Sequence, residues 1–248
     1  MRIAALSDIH GNLWALEAVL ADIARRGADL IVNLGDIVSG PLLPGETADR
    51  LMALALPTVA GNHERQVLTQ APERMGPSDL YAHQQLTQKQ RAWLAGLPGT
   101  LRLNDDVQMV HGTPRSDVTY WLESVTAPQG MRPATYEEVA ERAAGAAAPL
   151  VLCGHTHVPR AVQLDDGRLI VNPGSVGLQA YDDDRPYPHQ VENGTPHARY
   201  ALLEKQAHGW QVELLAVPYD WREAAELAAR NGRPDWEIAL RTGRMTSR

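Results

Sequence analysis

Apolar residues fall along this chain in short runs, and several of the runs end in a polar residue and a glycine. Residues 2–7 (Arg-Ile-Ala-Ala-Leu-Ser) form the first run and predict a buried strand. Over residues 13–26, Leu13, Leu16, Val19, Leu20 and Ile23 recur at helical spacing, and Gly27 stops the pattern. The same unit returns as a strand at 29–34, a turn at Gly35-Asp36 and a helix from about 45 to 55 behind Pro44. Residues 57–60 (Pro-Thr-Val-Ala) read as a third short strand, followed by a turn at Gly61-Asn62 and a polar helical stretch. Three strand-turn-helix units in succession predict a mainly parallel, buried sheet with helices on its faces.

The pattern then loosens. Thr87 with Gln90 is a capping box and opens a helix that ends within 96–99. Residues 100–110 read as two strands around Asn104-Asp105-Asp106, the second delivering His111. Residues 113–134 show no clean period and are expected as a surface loop covering a site. Thr135 and Glu138 cap an Ala-rich helix up to Gly145, and Leu150-Val151-Leu152-Cys153 is an apolar strand that delivers His155 and His157. Asp165-Asp166-Gly167 and His208-Gly209 are turns inside two hairpin patterns, which predict an antiparallel second sheet. Between them, residues 180–197 carry Asp182-Asp183-Asp184 and three prolines, a solvated loop by composition. Asp220 with Glu223 predicts a capped C-terminal helix running to about Arg230.

Composition narrows this picture. The 248 residues suit one domain over 1–248, with 44% apolar and 21% charged residues. A net charge of -7 argues against an extended nucleic-acid or anionic membrane surface, though not against a small nucleotide. No run of 18 apolar residues is present, and Asp8 and His10 interrupt any signal-peptide core. The single Cys153 agrees with a reducing compartment and reads as a buried strand residue rather than a ligand, so a cytoplasmic location is expected.

Candidate chemistry sits where the strands end. Asp8, His10, Asp36, Asn62, His111, His155 and His157 each follow a predicted strand, the edge at which ligand sites of open α/β sheets assemble. Two carboxylates, an amide oxygen and four imidazoles suit manganese, iron or zinc better than magnesium or calcium. Seven ligands exceed the needs of one such ion; sharing one carboxylate makes two four-ligand sets. A lone His-Gly or Gly-Asp pair is ordinary turn chemistry, and it is the recurrence at strand ends that carries weight.

The order Asp-x-His-Gly, Gly-Asp, Gly-Asn-His-Glu, His-Gly, Gly-His-x-His, carried here by residues 8 to 157, resembles the calcineurin-like metallophosphoesterase superfamily. Asp8-Ile9-His10-Gly11-Asn12 and Asn172-Pro173-Gly174-Ser175-Val176-Gly177 look most like its small bacterial and archaeal YfcE-like phosphodiesterases. That resemblance implies an α/β fold, a four-layer α-β-β-α sandwich with two mixed sheets. It implies a first metal on Asp8, His10 and His157, a second on Asn62, His111 and His155, and Asp36 bridging them. The implied cofactors are two divalent ions, most often manganese or iron, sometimes zinc, nickel or magnesium. His63 is implied as a group over the phosphate, and chemistry assigns it the general acid against in-line attack by hydroxide held between the cations.

The expected reaction is hydrolysis of a phosphodiester or phosphomonoester, with small nucleotides the leading class. The alternatives are a protein phosphatase of the same superfamily and a non-catalytic metal-dependent binding or regulatory protein. Against the phosphatase, Gly35-Asp36-Ile37-Val38-Ser39-Gly40 lacks the Asp and Arg that continue the motif there, so no carboxylate partner for His63 is visible. Asn12, Arg65 and Arg115 are candidates for phosphate contact, each set against a plainer reading as helix cap or surface charge. Glu64 reads as an acceptor behind the ligands, Tyr120 and Trp121 as packing or a base-stacking pair, and His83, His189, His197 and His208 as surface or structural.

Overall fold

The computed structural model describes residues 1–128 and 130–245. Among them the strands are β1 (Arg2–Leu6), β2 (Leu30–Asn33), β3 (Thr100–Arg102), β4 (Val107–Val110), β5 (Glu123–Thr126), β6 (Gly130–Pro133), β7 (Leu150–Leu152), β8 (Arg160–Gln163), β9 (Leu169–Asn172), β10 (Ala180–Asp183), β11 (His189–Glu192), β12 (Ala198–Gln206) and β13 (Gly209–Val217). The helices are α1 (Leu13–Arg26), α2 (Pro44–Leu54), α3 (Asn62–Thr69), α4 (Pro77–Gln85), α5 (Gln88–Ala95), α6 (Tyr136–Arg142), α7 (Arg222–Arg230) and α8 (Pro234–Thr242).

Two mixed sheets, ordered β13-β12-β1-β2 and β3-β4-β7-β9-β8, pack face to face. The two-residue period of the strands decides which side chain enters which layer. Ile3 and Ala5 of β1 face the second sheet and pack with Val32, Met109, Leu152 and Leu203, whereas Ala4 and Leu6 face α1 and meet Leu16, Val19 and Ile23. In β7, Leu150 and Leu152 point between the sheets, and Val151 points outward to Val139 of α6 and to Trp121. The result is a four-layer sandwich in which each fully buried large aliphatic side chain contributes about 1.5–3 kcal/mol. Among the described residues no helix is long and apolar enough to cross a membrane.

Local signals explain the helix ends. Asn12 Oδ1 accepts from Ala15 N at 3.1 Å to start α1, and Thr87 with Gln90 and Thr135 with Glu138 form capping boxes on α5 and α6. α2, α4 and α8 begin on Pro44, Pro77 and Pro234, where the missing N–H costs nothing.

Several expectations are corrected. The two hairpins do not form a sheet of their own: β12–β13 joins β1 antiparallel in the first sheet, and β8 flanks β9 at the edge of the second. Residues 57–60 make one bridge, Thr58 to Asn33, rather than a strand. Residues 113–134 are not all loop, because Trp121 and Leu122 enter the core and β5–β6 is a hairpin. Residues 180–197 hold a second hairpin, β10–β11, in which buried Ala180, His189 and Val191 are interleaved with exposed polar residues. Composition hid that alternation. Trp221, not Asp220, caps α7, since the Asp220 carboxylate is engaged by Arg222. α8 was not anticipated; Trp236, Ala239 and Leu240 pack it with α7 against Leu42, Leu178 and Ala180.

Candidate metal centre

The C-terminal ends of β1, β2, β4 and β7 open into loops that are stitched together by their backbones. Asp8 N donates to Gly35 O at 3.0 Å, His10 N to Asp36 O at 3.0 Å, Gly11 N to Ile37 O at 2.8 Å and Gly154 N to His111 O at 2.7 Å. The segment after β9 closes the ring, with Val176 N on Ser7 O at 2.9 Å and the Ser175 hydroxyl on Asp8 O at 2.7 Å. Such close approach needs bare backbone: a Cβ on Gly61 would overlap Asp36 Oδ1, and one on Gly154 would overlap Ser7 Oγ.

Asp8, His10, Asp36, His155 and His157 all have φ between 53° and 72°, and among the described residues Ala55 is the only other non-glycine with positive φ. That conformation costs about 1–3 kcal/mol per residue and persists only where the surroundings hold it. Here the strained backbone aims side chains inward. The acceptor atoms of Asp8, His10 and His157 lie within 4.8 Å of one another, and so do those of Asp36, His111 and His155. Asn62, the first residue of α3, puts Oδ1 3.1 Å from His111 Nε2, beside the second group. All seven ligand candidates are therefore brought together, six of them buried and His155 partly so.

The tautomers of the rings show what this cluster is short of. His10, His111 and His157 each turn Nδ1 to a backbone carbonyl, Ser39 O, Leu34 O and Leu178 O, at 2.7 Å. A carbonyl only accepts, so Nδ1 carries a proton in each, and the neutral rings of His10 and His157 present a bare lone pair at Nε2. Yet His10 Nε2 faces His157 Nε2 at 3.1 Å, and His111 Nε2 faces Asn62 Oδ1 and Asp36 Oδ2, each at 3.1 Å. Lone pair faces lone pair between His10 and His157, a repulsive arrangement that a cation between the atoms would turn into ligation, whereas His111, raised by Asp36, keeps a proton on Nε2 that points where a cation would sit. The residues fit a pair of divalent ions.

Charge tells the same story. Burial pushes the Asp8 carboxyl up to about 7, and drives His10 down to about 4 and His155 down to about 3. Burial also opposes ionisation of Asp36, but His111 and His63 hold its carboxyl well below the usual range. His111 goes the other way: burial lowers it, while Asp36 raises it to about 10.

Glu64 is fully buried and accepts three backbone N–H groups, Asp36 and Gly61 at Oε2 and Ile37 at Oε1, all at 2.8 Å. It locks the Gly35-Asp36 turn to the start of α3. His63 has the carboxylate partner that the second motif lacks. Asp79, in the first turn of α4, receives His63 Nδ1 at 2.7 Å and the Ser39 hydroxyl at 2.7 Å on the same oxygen. Burial lowers the His63 ring, but Asp36 and Asp79 raise it to about 9.

A cleft of about 950 Å³ opens over the cluster, lined among others by His63, Tyr120, Glu123, Tyr181, Arg233 and Trp236. Asn12, Arg65 and Arg115 are not among its lining residues. Asn12 is spent on capping α1 and on Gly177 O and Tyr219, Arg65 pairs with Asp117 at 2.7 Å, and Arg115 is exposed. Sequence reasoning missed Asp79, Tyr181 and Trp236. An acidic residue in a helical first turn behind a proline is ordinary, so nothing local marked Asp79. Trp121 is core, its Nε1 on Val139 O at 3.1 Å, while Tyr120 alone of that pair faces the cleft.

The model of the calcineurin-like phosphoesterase superfamily domain matches residues 1–189, and the chain belongs to that superfamily. By class it is a metal-dependent phosphoesterase. It is 28% identical over 248 residues to the uncharacterized protein MJ0912 of Methanocaldococcus jannaschii, covering 94% of each chain. It is 31% identical over 162 residues to the phosphodiesterase YfcE of Escherichia coli, covering 55% of this chain and 85% of that one. A crystal structure of a metallophosphoesterase from Sphaerobacter thermophilus, 27% identical, superposes with a TM-score of 0.75 over 97% of this chain and 98% of the other.

Proposed function

We propose that the chain is a dinuclear phosphoesterase acting on phosphodiesters, with small nucleotides the leading substrate class and phosphomonoesters a lesser one. In this reading Asp8, His10 and His157 hold one divalent cation, Asn62, His111 and His155 a second, and Asp36 both. The facing Nε2 atoms of His10 and His157, 3.1 Å apart with both protons committed at Nδ1, are the observation that carries it. Asp36 suits the shared position because its charge is felt by His111 and by His10, one from each group. Manganese or iron matches the mixed nitrogen and oxygen donors best. Bound there, the cations supply Lewis acidity that makes water a nucleophile near neutral pH and offsets charge on the phosphoryl oxygens.

The protein's own groups do the rest. His63, clamped at Nδ1 by Asp79, turns the other edge of its ring toward the cleft and hands a proton to the departing alkoxide. Ser39 keeps Asp79 in place while its carbonyl orients His10, so one residue steadies both the acid and a ligand. A cleft near the upper end of the usual ligand range leaves room for organic groups beyond the phosphate. The diesterase preference draws on the named activity of YfcE. One cysteine, buried and with its thiol pushed well up by burial, agrees with a cytoplasmic setting. The test is a panel of phosphodiesters and monoesters assayed after chelation and reloading with single metals. Diester hydrolysis restored by manganese or iron is expected; activity untouched by chelation, or none with any metal, contradicts the proposal.

A further inference from the structure

The two hairpins that close the cleft meet above the histidines. Tyr120, just before β5, lies with its ring 5.0 Å from that of His155; Tyr181, on β10, lies 4.7 Å from that of His157. Their hydroxyls are 2.7 Å apart, and Tyr120 Oη is also 3.1 Å from Nε2 of His189 on β11. The protons in this chain have a fixed direction. His189 Nδ1 lies 2.8 Å from Tyr187 O, a carbonyl that only accepts, so the neutral ring has a bare Nε2. Tyr120 must donate to it. Having spent its one proton, Tyr120 accepts from Tyr181, and Tyr181 is left with lone pairs only. Burial keeps both phenols protonated by raising them far above neutral.

Glu123, the first residue of β5, backs this wall with a side chain 3% exposed; burial raises its carboxyl to about 7, against the Thr156 hydroxyl and the Arg160 guanidinium 3.8 Å off. Asp182 and Asp183 continue the same polarity toward the mouth, and Arg185 beyond them stands beside three aspartates in sequence.

We infer that this wall, through Tyr181 Oη, selects phosphoesters whose retained organic group carries hydroxyl or amino donors, as a ribose or glycerol does. Tyr181 is the specificity-determining residue, while Tyr120 and His189 act through it by fixing which way its proton points. The inference rests on the phosphodiesterase reading, because the retained group exists only in a diester.

The experiment compares two esters that differ only in hydroxyls, 4-nitrophenyl propyl phosphate and 4-nitrophenyl 2,3-dihydroxypropyl phosphate, with manganese-loaded protein. The diol is expected to be favoured about three- to tenfold in kcat/KM, the size of one or two net hydrogen bonds, and chiefly through KM. In Tyr181→Phe the ratio falls toward one. A ratio within one preparation does not depend on the fraction folded, and merely structural damage slows both esters alike. Equal rates for the two esters in the unaltered protein, or an unchanged ratio in Tyr181→Phe, overturns the inference and leaves the phosphodiesterase reading standing. Hydrolysis of neither ester removes that reading and the inference with it.

Discussion

Asp36 and Tyr181 border the same cleft but come from sequence of different kinds. The floor is made of turns after β1, β2, β4 and β7, where short polar motifs follow buried runs and glycines let the loops interlock. The roof is made of two hairpins whose residues show no motif, joined by a tyrosine pair and one histidine. The floor holds strained backbone and lone pairs aimed at one another, a rigid device for binding cations. The roof holds ordinary hydrogen bonds between side chains of separate hairpins. On the proposed reading chemistry belongs to the first and selection among substrates to the second, and perturbing each should leave different signatures.

The largest effect is expected on the floor. His63→Asn should keep both metals yet lower kcat by about 10²- to 10⁴-fold, the range of a lost general acid. Steady-state kinetics beside metal analysis checks this, and unchanged turnover removes the role. Asp79→Asn, which leaves His63 in place but takes away the charge that orients it, should cost about 10- to 100-fold, as for other outer partners of a functional histidine. Its loss should lie in kcat rather than KM.

Glu64→Gln sharpens the comparison in stability. An amide has a single acceptor oxygen for the three N–H groups that Glu64 now holds, so about 1–3 kcal/mol is at stake, read from urea denaturation of the metal-free protein. The smallest effect is a pH dependence. The folded-state pKa of His63, about 9, lies above the ordinary 6.5, so its pairing stabilises the protein fully below about 6.5. That contribution is lost as pH rises through about 9. In chelated protein, unfolding curves of the original and of His63→Asn should differ more at pH 6 than at pH 10.

What the sequence made legible follows the same division. Ile3, Ala5, Leu150 and Leu152 announce strands because a buried face imposes a period, and His10 or His155 stands out because a titratable group beside a glycine at a strand end has few structural uses. Asp79 gave no such signal. It reaches His63 only because α3 and α4 pack together, and a contact sixteen residues apart leaves no period to read. The hairpins over 113–134 and 180–197 were obscured by prolines and aspartates that sit in or near turns, while the alternation that makes them strands spans four residues each. Asn12 and Arg65 have the chemistry for phosphate, yet a cap and an ion pair, neither legible as such in the sequence, engage them here.

Metal content per chain, measured after chelation, reloading with manganese and removal of excess, tests the central claim most directly. Two ions per chain are expected in the original protein, with both sites depleted in Asp36→Asn. One ion or none in the original, or two retained in Asp36→Asn, contradicts a dinuclear centre bridged by that carboxylate.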